Sequence, residues 1–198
     1  MSTVVRKAYI LCEHANTPRC IDSRKTLESI GFQVICVPYT RHDDKVISNK
    51  VSMQGIYQDI LDTGDPWSYV FEDDIAKLTD ITLDEIIEYE GISSHVFYLG
   101  TCCINRGMSN SGISIRGHPV ITLAGGCHGL HAIALSQDGA RELLAYSRKA
   151  KERYMDVILR DYTVLRPAHV VRHDLCYPGA HGHRGAICQN RNVYPTTI

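Results

Sequence analysis

The chain has no surplus of basic residues: 21 Lys and Arg stand against 22 Asp and Glu, for a formal charge of −1. Neutralising phosphates needs clustered Lys and Arg, so nucleic-acid binding as a main activity is disfavoured. The short basic run Arg148-Lys149-Ala150-Lys151 reads as the solvated face of a helix. A signal-peptide layout is missing, because Arg6-Lys7 interrupts the first apolar run. The one long stretch without Asp, Glu, Lys or Arg runs from Gly117 to Gln137. It contains His118, Pro119, His128, His131 and several glycines, so it reads as two strands and a loop and not as a membrane span. A cytoplasmic location without a membrane anchor is the expectation. No repeat, low-complexity tract or linker divides the 198 residues, a length that suits one domain with a real core.

Cys-x-x-Cys pairs are also missing, although the chain has eight cysteines. Without a secretory signal these are expected as reduced thiols, several of them filling the core. Adjacent Cys102-Cys103 follow a strand and read as core or loop thiols, with lining of the crevice as the alternative. The segment "CYPGAHGHRGAIC", Cys176 to Cys188, offers two thiols and two imidazoles to zinc, at a spacing that matches no familiar zinc pattern.

What the chain does have is an alternation of strand and helix patterns. "AYILCEH" (8–14), "FQVICVPY" (32–39), "WSYVFEDD" (67–74) and "HVFYLG" (95–100) read as strands. Between them, 22–31 reads as a helix stopped by Gly31, and 51–64 as a helix with Val51, Ile56, Ile60 and Leu61 near one face. Residues 82–91 form a third, with Thr82 and Glu85 in capping-box spacing. Residues 101–119 read as a polar, Gly-rich loop. "VITLAGG" and "GLHAIALS" follow as strands, then a helix, a break and a second helix over 136–162. "AHVVRHD" is a last strand before a loop-rich tail. The pattern predicts an α/β fold with a mostly parallel central sheet flanked by helices. In such sheets ligands bind beyond the carboxyl ends of the strands.

Glu72-Asp73-Asp74 falls at such an end. Three adjacent carboxylates repel one another and are costly to bury, so a positive partner is expected. One candidate is Mg²⁺ or Mn²⁺, which binds through one or two carboxylates plus substrate phosphates. The other reading is a cap for a following helix, with Glu72 facing water.

"YVFEDDI" (69–75) resembles the hydrophobic strand ending in Glu-Asp-Asp of glycosyltransferase family 25, the group of lipopolysaccharide and collagen galactosyltransferases. "SMQGIYQDIL" (52–61) is similar in position to the family's Ser-containing helix but lacks the usual His. "GLHAIALSQDGARELL" (129–144) resembles its Ser-x-x-Gly-Ala-x-x-Leu-Leu block, and "YMDVIL" (154–159) its following Asp-containing helix. These blocks keep their order across roughly Tyr9 to Tyr162. The chain is shorter than most members, "LCEH" replaces the usual Asn-Leu after the first strand, and "GAHGHRGAICQNR" has no close match in the family. Compact enzymes similar to these occur in large DNA viruses.

The resemblance implies one GT-A-like domain over 1–198, with a nucleotide-binding half (about 1–100) and an acceptor-binding half (about 101–198). It implies metal-dependent, inverting transfer of a sugar from a nucleotide sugar, most often a UDP-sugar, to a glycan or glycoprotein hydroxyl, with Mn²⁺ or Mg²⁺. On this chain it makes Asp74 a direct metal ligand and gives Glu72 or Asp73 the ribose or a metal-bound water. His181 or His183 becomes a further metal ligand, and Arg184 a phosphate partner. Glu13, His14 and Thr17 fall where base and ribose are expected, with Arg24 reaching the diphosphate. Inverting transfer needs a base for the acceptor proton; Asp156 matches the family's Asp, and Asp138 is the alternative. Two rivals stay open: a metal-dependent phosphohydrolase, and a non-catalytic zinc- or carbohydrate-binding module resting on the Cys176–Cys188 segment.

Overall fold

The central strands of the sheet are apolar at nearly every position because both faces there are covered. The computed structural model describes residues 5–102, 107–124, 128–175, 184–190 and 193–194. The first half alternates β1 (Lys7–Cys12), α1 (Pro18–Ile30), β2 (Gln33–Pro38), α2 (Lys45–Thr63), β3 (Trp67–Glu72), β4 (Ile75–Lys77), α3 (Leu83–Glu90) and β5 (Val96–Cys102). A hairpin of β6 (Met108–Ile115) and β7 (His118–Leu123) follows, then β8 (His128–Ser136), α4 (Gln137–Lys149), α5 (Met155–Leu165), β9 (Ala168–Val170), β10 (Arg184–Gly185) and β11 (Ile187–Gln189).

Odd and even positions of each strand feed opposite cores. Ala8, Ile10 and Cys12 pack with Leu27 of α1, Ile86 and Tyr89 of α3, and Phe71, Phe97 and Leu99. Tyr9 and Leu11 pack on the other face with Met53, Ile56, Tyr57 and Ile60 of α2, and with Leu143 and Leu159 of α4 and α5. Helix α2 starts six residues before the expected Val51, at the Asp44 cap. That turns Val51 outward, 40% exposed, and puts Met53 and Tyr57 in its place.

The sheet is mixed, which corrects the expectation of a mostly parallel one. Its order is β2-β1-β3-β8-β5-β9-β7-β6, with β10 added on β5. Strands β1–β2, β1–β3 and β5–β9 are parallel. Strand β8 lies antiparallel between β3 and β5. Parallel neighbours need a long crossover, usually a helix. None separates β6, β7 and β8, so the alternation of the first hundred residues does not extend to them. The region read as a loop over 101–119 holds β6, whose Ser- and Asn-rich, mostly exposed sequence carries no apolar period. No helix among the described residues is long and apolar enough to cross a membrane.

Residues 184–189 are held by strand pairing. Strand β10 lies against β5 with Gly185 opposite Gly100, and β11 pairs with β4. Gly100 is required for this: a Cβ there would stand 1.8 Å from Ile187 O. Ala186, Ile187 and Cys188 are buried as a result.

A charged pair seals the sheet beside α3. Arg6 grips Glu90 through both carboxylate oxygens at 2.7 Å, and Tyr69 Oη donates to Glu90 Oε1 at 2.6 Å. The two charged side chains are only 14% and 7% exposed. Removing one partner of such a pair strands the other charge. Arg6→Met is therefore expected to cost about 3 kcal/mol in urea unfolding, with Arg6→Met/Glu90→Leu recovering part of it. A loss near zero in the single variant would mean that Glu90 reaches water.

Candidate functional site

The carboxyl ends of β1, β2, β3 and β5 share one edge of the sheet, because β5 runs with β3 across the antiparallel β8. Beyond that edge lies a cavity of about 590 Å³. Three helices begin on it. Helix α1 contributes Thr17 and Arg19, α2 contributes Lys45, Val46 and Ser48, and α5 contributes Met155 and Asp156. Thr17 caps α1 by accepting from Cys20 N, and Asp44 caps α2 by accepting from Val46 N and Ile47 N. The positive ends of three helix dipoles thus meet at one hollow, which favours an anion there.

The acidic cluster faces the same hollow. Glu72 ends β3, and Asp73-Asp74 form the two-residue turn into β4. No helix follows for them to cap, which removes the helix-cap reading. The turn is tied down on both sides: Ile75 N donates to Ser23 Oγ at 3.1 Å, and Asn190 N donates to Asp74 O at 2.5 Å. Gln189 Nε2 donates to Glu72 Oε2 at 2.7 Å. The positive partner required by the carboxylates is Arg19. Its Nη2 stands 3.1 Å from Asp73 Oδ1 and 3.2 Å from Asp74 Oδ2. Asp73 is 7% and Asp74 3% exposed. Burial raises the Asp73 carboxyl above its ordinary range, and Arg19 opposes that rise. Burial, with Glu72 and Asp73 nearby, also raises the phenol of Tyr39 across the cavity.

Of the residues singled out from sequence, Glu13, Thr17, Glu72, Asp73, Asp74 and Asp156 all line this cavity. Asp156 sits in the first turn of α5, with His128 Nδ1 3.5 Å from its Oδ2. Cys102 lines the cavity too and donates to His128 O at 3.1 Å. Other residues are placed elsewhere. His14 is exposed, and its carbonyl accepts from Thr17 N. Arg24 turns under α1, to Ala15 O at 3.4 Å and Cys36 Sγ at 3.0 Å. Asp138 belongs to the opposite sheet edge, because Ser136, just before it, pairs with Trp67 at the start of β3; there it bonds Arg141. Arg184 lies on β10 against Thr101 of β5. His181, His183, Cys176 and Cys103 lie outside the described residues.

The Ser-x-x-Gly-Ala block has a structural role. Ser136 caps α4 by accepting from Gly139 N and donates to Ser94 O at 2.8 Å. Ala140, Leu143 and Leu144 fill the core. Ser52 is equally structural: it accepts from Thr40 N and donates to Ser48 O, each at 2.7 Å. At Thr82 only half of the capping box forms. Thr82 Oγ1 accepts from Glu85 N, while the Glu85 carboxylate goes to Arg172 at 2.5 and 3.1 Å.

Sequence reasoning missed Arg19, Tyr39 and Gln189. A signal for Arg19 existed. Thr17-Pro18 is a cap followed by proline at the first helical position, which starts α1 before the expected Asp22 and aims Arg19 at the strand ends. Gln189 gave none, since its place depends on β11 pairing with β4.

Among the described residues, one group of three His, Cys, Asp or Glu brings its ligand atoms within 4.8 Å of one another: Cys12, Cys20 and Cys36. The acidic cluster is therefore not a closed three-carboxylate cage.

No protein-family model and no curated protein matches the chain. Among solved structures, A197 from STIV aligns at 11% identity and a TM-score of 0.47, over 84% of this chain and 81% of that one. A likeness of that degree assigns nothing to this chain.

Proposed function

We propose that the cavity binds a nucleotide diphosphate sugar, a UDP-sugar first, together with Mn²⁺ or Mg²⁺, and that the protein transfers the sugar with inversion to a hydroxyl of a glycan or glycoprotein. This reading takes the chain as a GT-A-like enzyme similar to glycosyltransferase family 25. One observation carries it: a pair of carboxylates sharing one cationic partner faces three helix N-termini across a single cavity. An acidic pair alone repels a diphosphate, and helix N-termini alone repel a metal ion. A metal diphosphate presents both charges and matches both walls.

Asp73 and Asp74 fit a hard divalent cation, since Mg²⁺ and Mn²⁺ usually take one or two carboxylates along with substrate phosphates and need no closed protein cage. Such a cation, when bound, offsets the charge of the departing diphosphate. Asp74 is the preferred ligand, and Glu72, braced by Gln189, orients the ribose or a coordinated water. Thr17 and Arg19 at the start of α1 serve the phosphates. Asp156, on the far wall with the α5 N-terminus, takes the proton from the acceptor hydroxyl.

The test is calorimetric titration with UDP, with and without Mn²⁺, on the native chain and on Asp74→Asn, which keeps the side-chain volume. Native protein is expected to bind UDP only with the metal, and Asp74→Asn to lose that binding while melting as a folded protein. If UDP, GDP and dTDP all fail to bind with either metal, the transferase reading is wrong.

A further inference from the structure

We propose that Cys12, Cys20 and Cys36 form a zinc site that clasps the start of α1 to the edge of the sheet. The three thiols come from three elements: the end of β1, the first turn of α1, and β2. All three sulfurs lie within 4.8 Å of one another, and Cys20 Sγ is 3.2 Å from Cys36 Sγ. Thiolates on a tetrahedral zinc, with Zn–S near 2.3 Å, stand about 3.8 Å apart. The observed cluster brackets that spacing without any change in the backbone.

Thiols that merely fill a core need no charged neighbour. This cluster has one: Arg24 Nη2 lies 3.0 Å from Cys36 Sγ. A guanidinium so placed is satisfied by a sulfur that carries negative charge, and a thiolate is the form that ligates metal. The charges then balance. Zn²⁺ on three thiolates leaves one negative charge, and Arg24 supplies one positive. A monovalent soft ion such as Cu⁺ would leave an excess negative charge beside the core. Cys12 and Cys20 are fully buried while Cys36 is half-buried, so the fourth zinc position is completed from the solvent side of Cys36.

The clasp sits under the cavity. Cys20 follows Arg19 directly, and Thr17 accepts the hydrogen bond from Cys20 N at 3.2 Å. A metal here fixes the helix start that carries Arg19 to Asp73 and Asp74. The inference does not depend on the transferase reading, and its test needs no nucleotide.

The experiment is titration of the reduced full-length protein with Co²⁺, read by absorbance and followed by Zn²⁺ displacement. The expected result is a near-ultraviolet thiolate-to-cobalt band saturating at one ion per chain, bleached by Zn²⁺. Zn²⁺ should also raise the melting temperature. Cys36→Ser alters the half-buried member and is expected to keep the fold while losing both the band and the thermal shift. Cys188→Ser, a buried thiol that donates to Ala76 O outside the cluster, is expected to keep both. Absence of the band in folded, reduced protein overturns the proposal. So does a band that survives Cys36→Ser, because the metal then sits on other thiols, and so does ready formation of a Cys20–Cys36 disulfide with no metal uptake.

Discussion

Replacing Gly139 with alanine is expected to cost at least about 4 kcal/mol of unfolding free energy, in the range reserved for exceptional substitutions. A Cβ at this position would stand 2.0 Å from His95 O and 2.7 Å from His95 C. Both are backbone atoms, so no side chain can swing aside. To admit the methyl group, the first turn of α4 must lift from the chain entering β5. That movement breaks the Ser136 hydrogen bond to Ser94 O and the Ser136 N bond to His95 O. It also withdraws Ala140 and Leu143, both fully buried, from the core. Unfolding in urea measures the loss directly, and Asp138→Ala, one residue earlier on an exposed side chain, is the control. A loss under about 1 kcal/mol would show that α4 can slide along the strand end at little cost.

The second large effect concerns Asp156. On the transferase reading, Asp156→Asn is expected to lower turnover by about 10²–10⁴-fold, the usual contribution of a positioned base. Metal-dependent UDP binding is expected to be unchanged, because Asp156 lies on the α5 wall and the proposed metal ligands lie in the β3–β4 turn. Asp138→Asn is expected to leave turnover as it is, since that residue occupies the opposite sheet edge. Rates measured at saturating donor separate the two variants. Equal losses in both would remove Asp156 from the role of base.

Much of the candidate site's location was legible because it follows from a local pattern. An apolar strand that ends in carboxylates marks a sheet edge, and Trp67 to Asp74 does so plainly. Asp156 was singled out by its place after the Ser-x-x-Gly-Ala block, whose own members Ser136 and Gly139 serve helix docking. That block therefore reports how α4 is held and says little about chemistry. Arg24 and Asp138 were placed by the resemblance, and matching the order of sequence blocks does not say where a side chain turns or which sheet edge it reaches.

By itself, the sequence determined the kinds of most elements in the first hundred residues and several of their ends. Those depend on neighbours within a few residues: unbroken apolar runs for doubly covered strands, Thr82 and Ser136 as helix caps, and Gly31 in the left-handed conformation after α1. The tertiary structure alone decided the direction of β8, the pairing of the tail with β4 and β5, Arg19 as the partner of Asp73 and Asp74, and the meeting of three thiols that share no spacing motif. The reason is the range of the forces involved. Caps and apolar periods act within one or two turns, whereas strand order and charge pairing are fixed when distant segments compete to bury the same surface, and only the folded chain records which of them won.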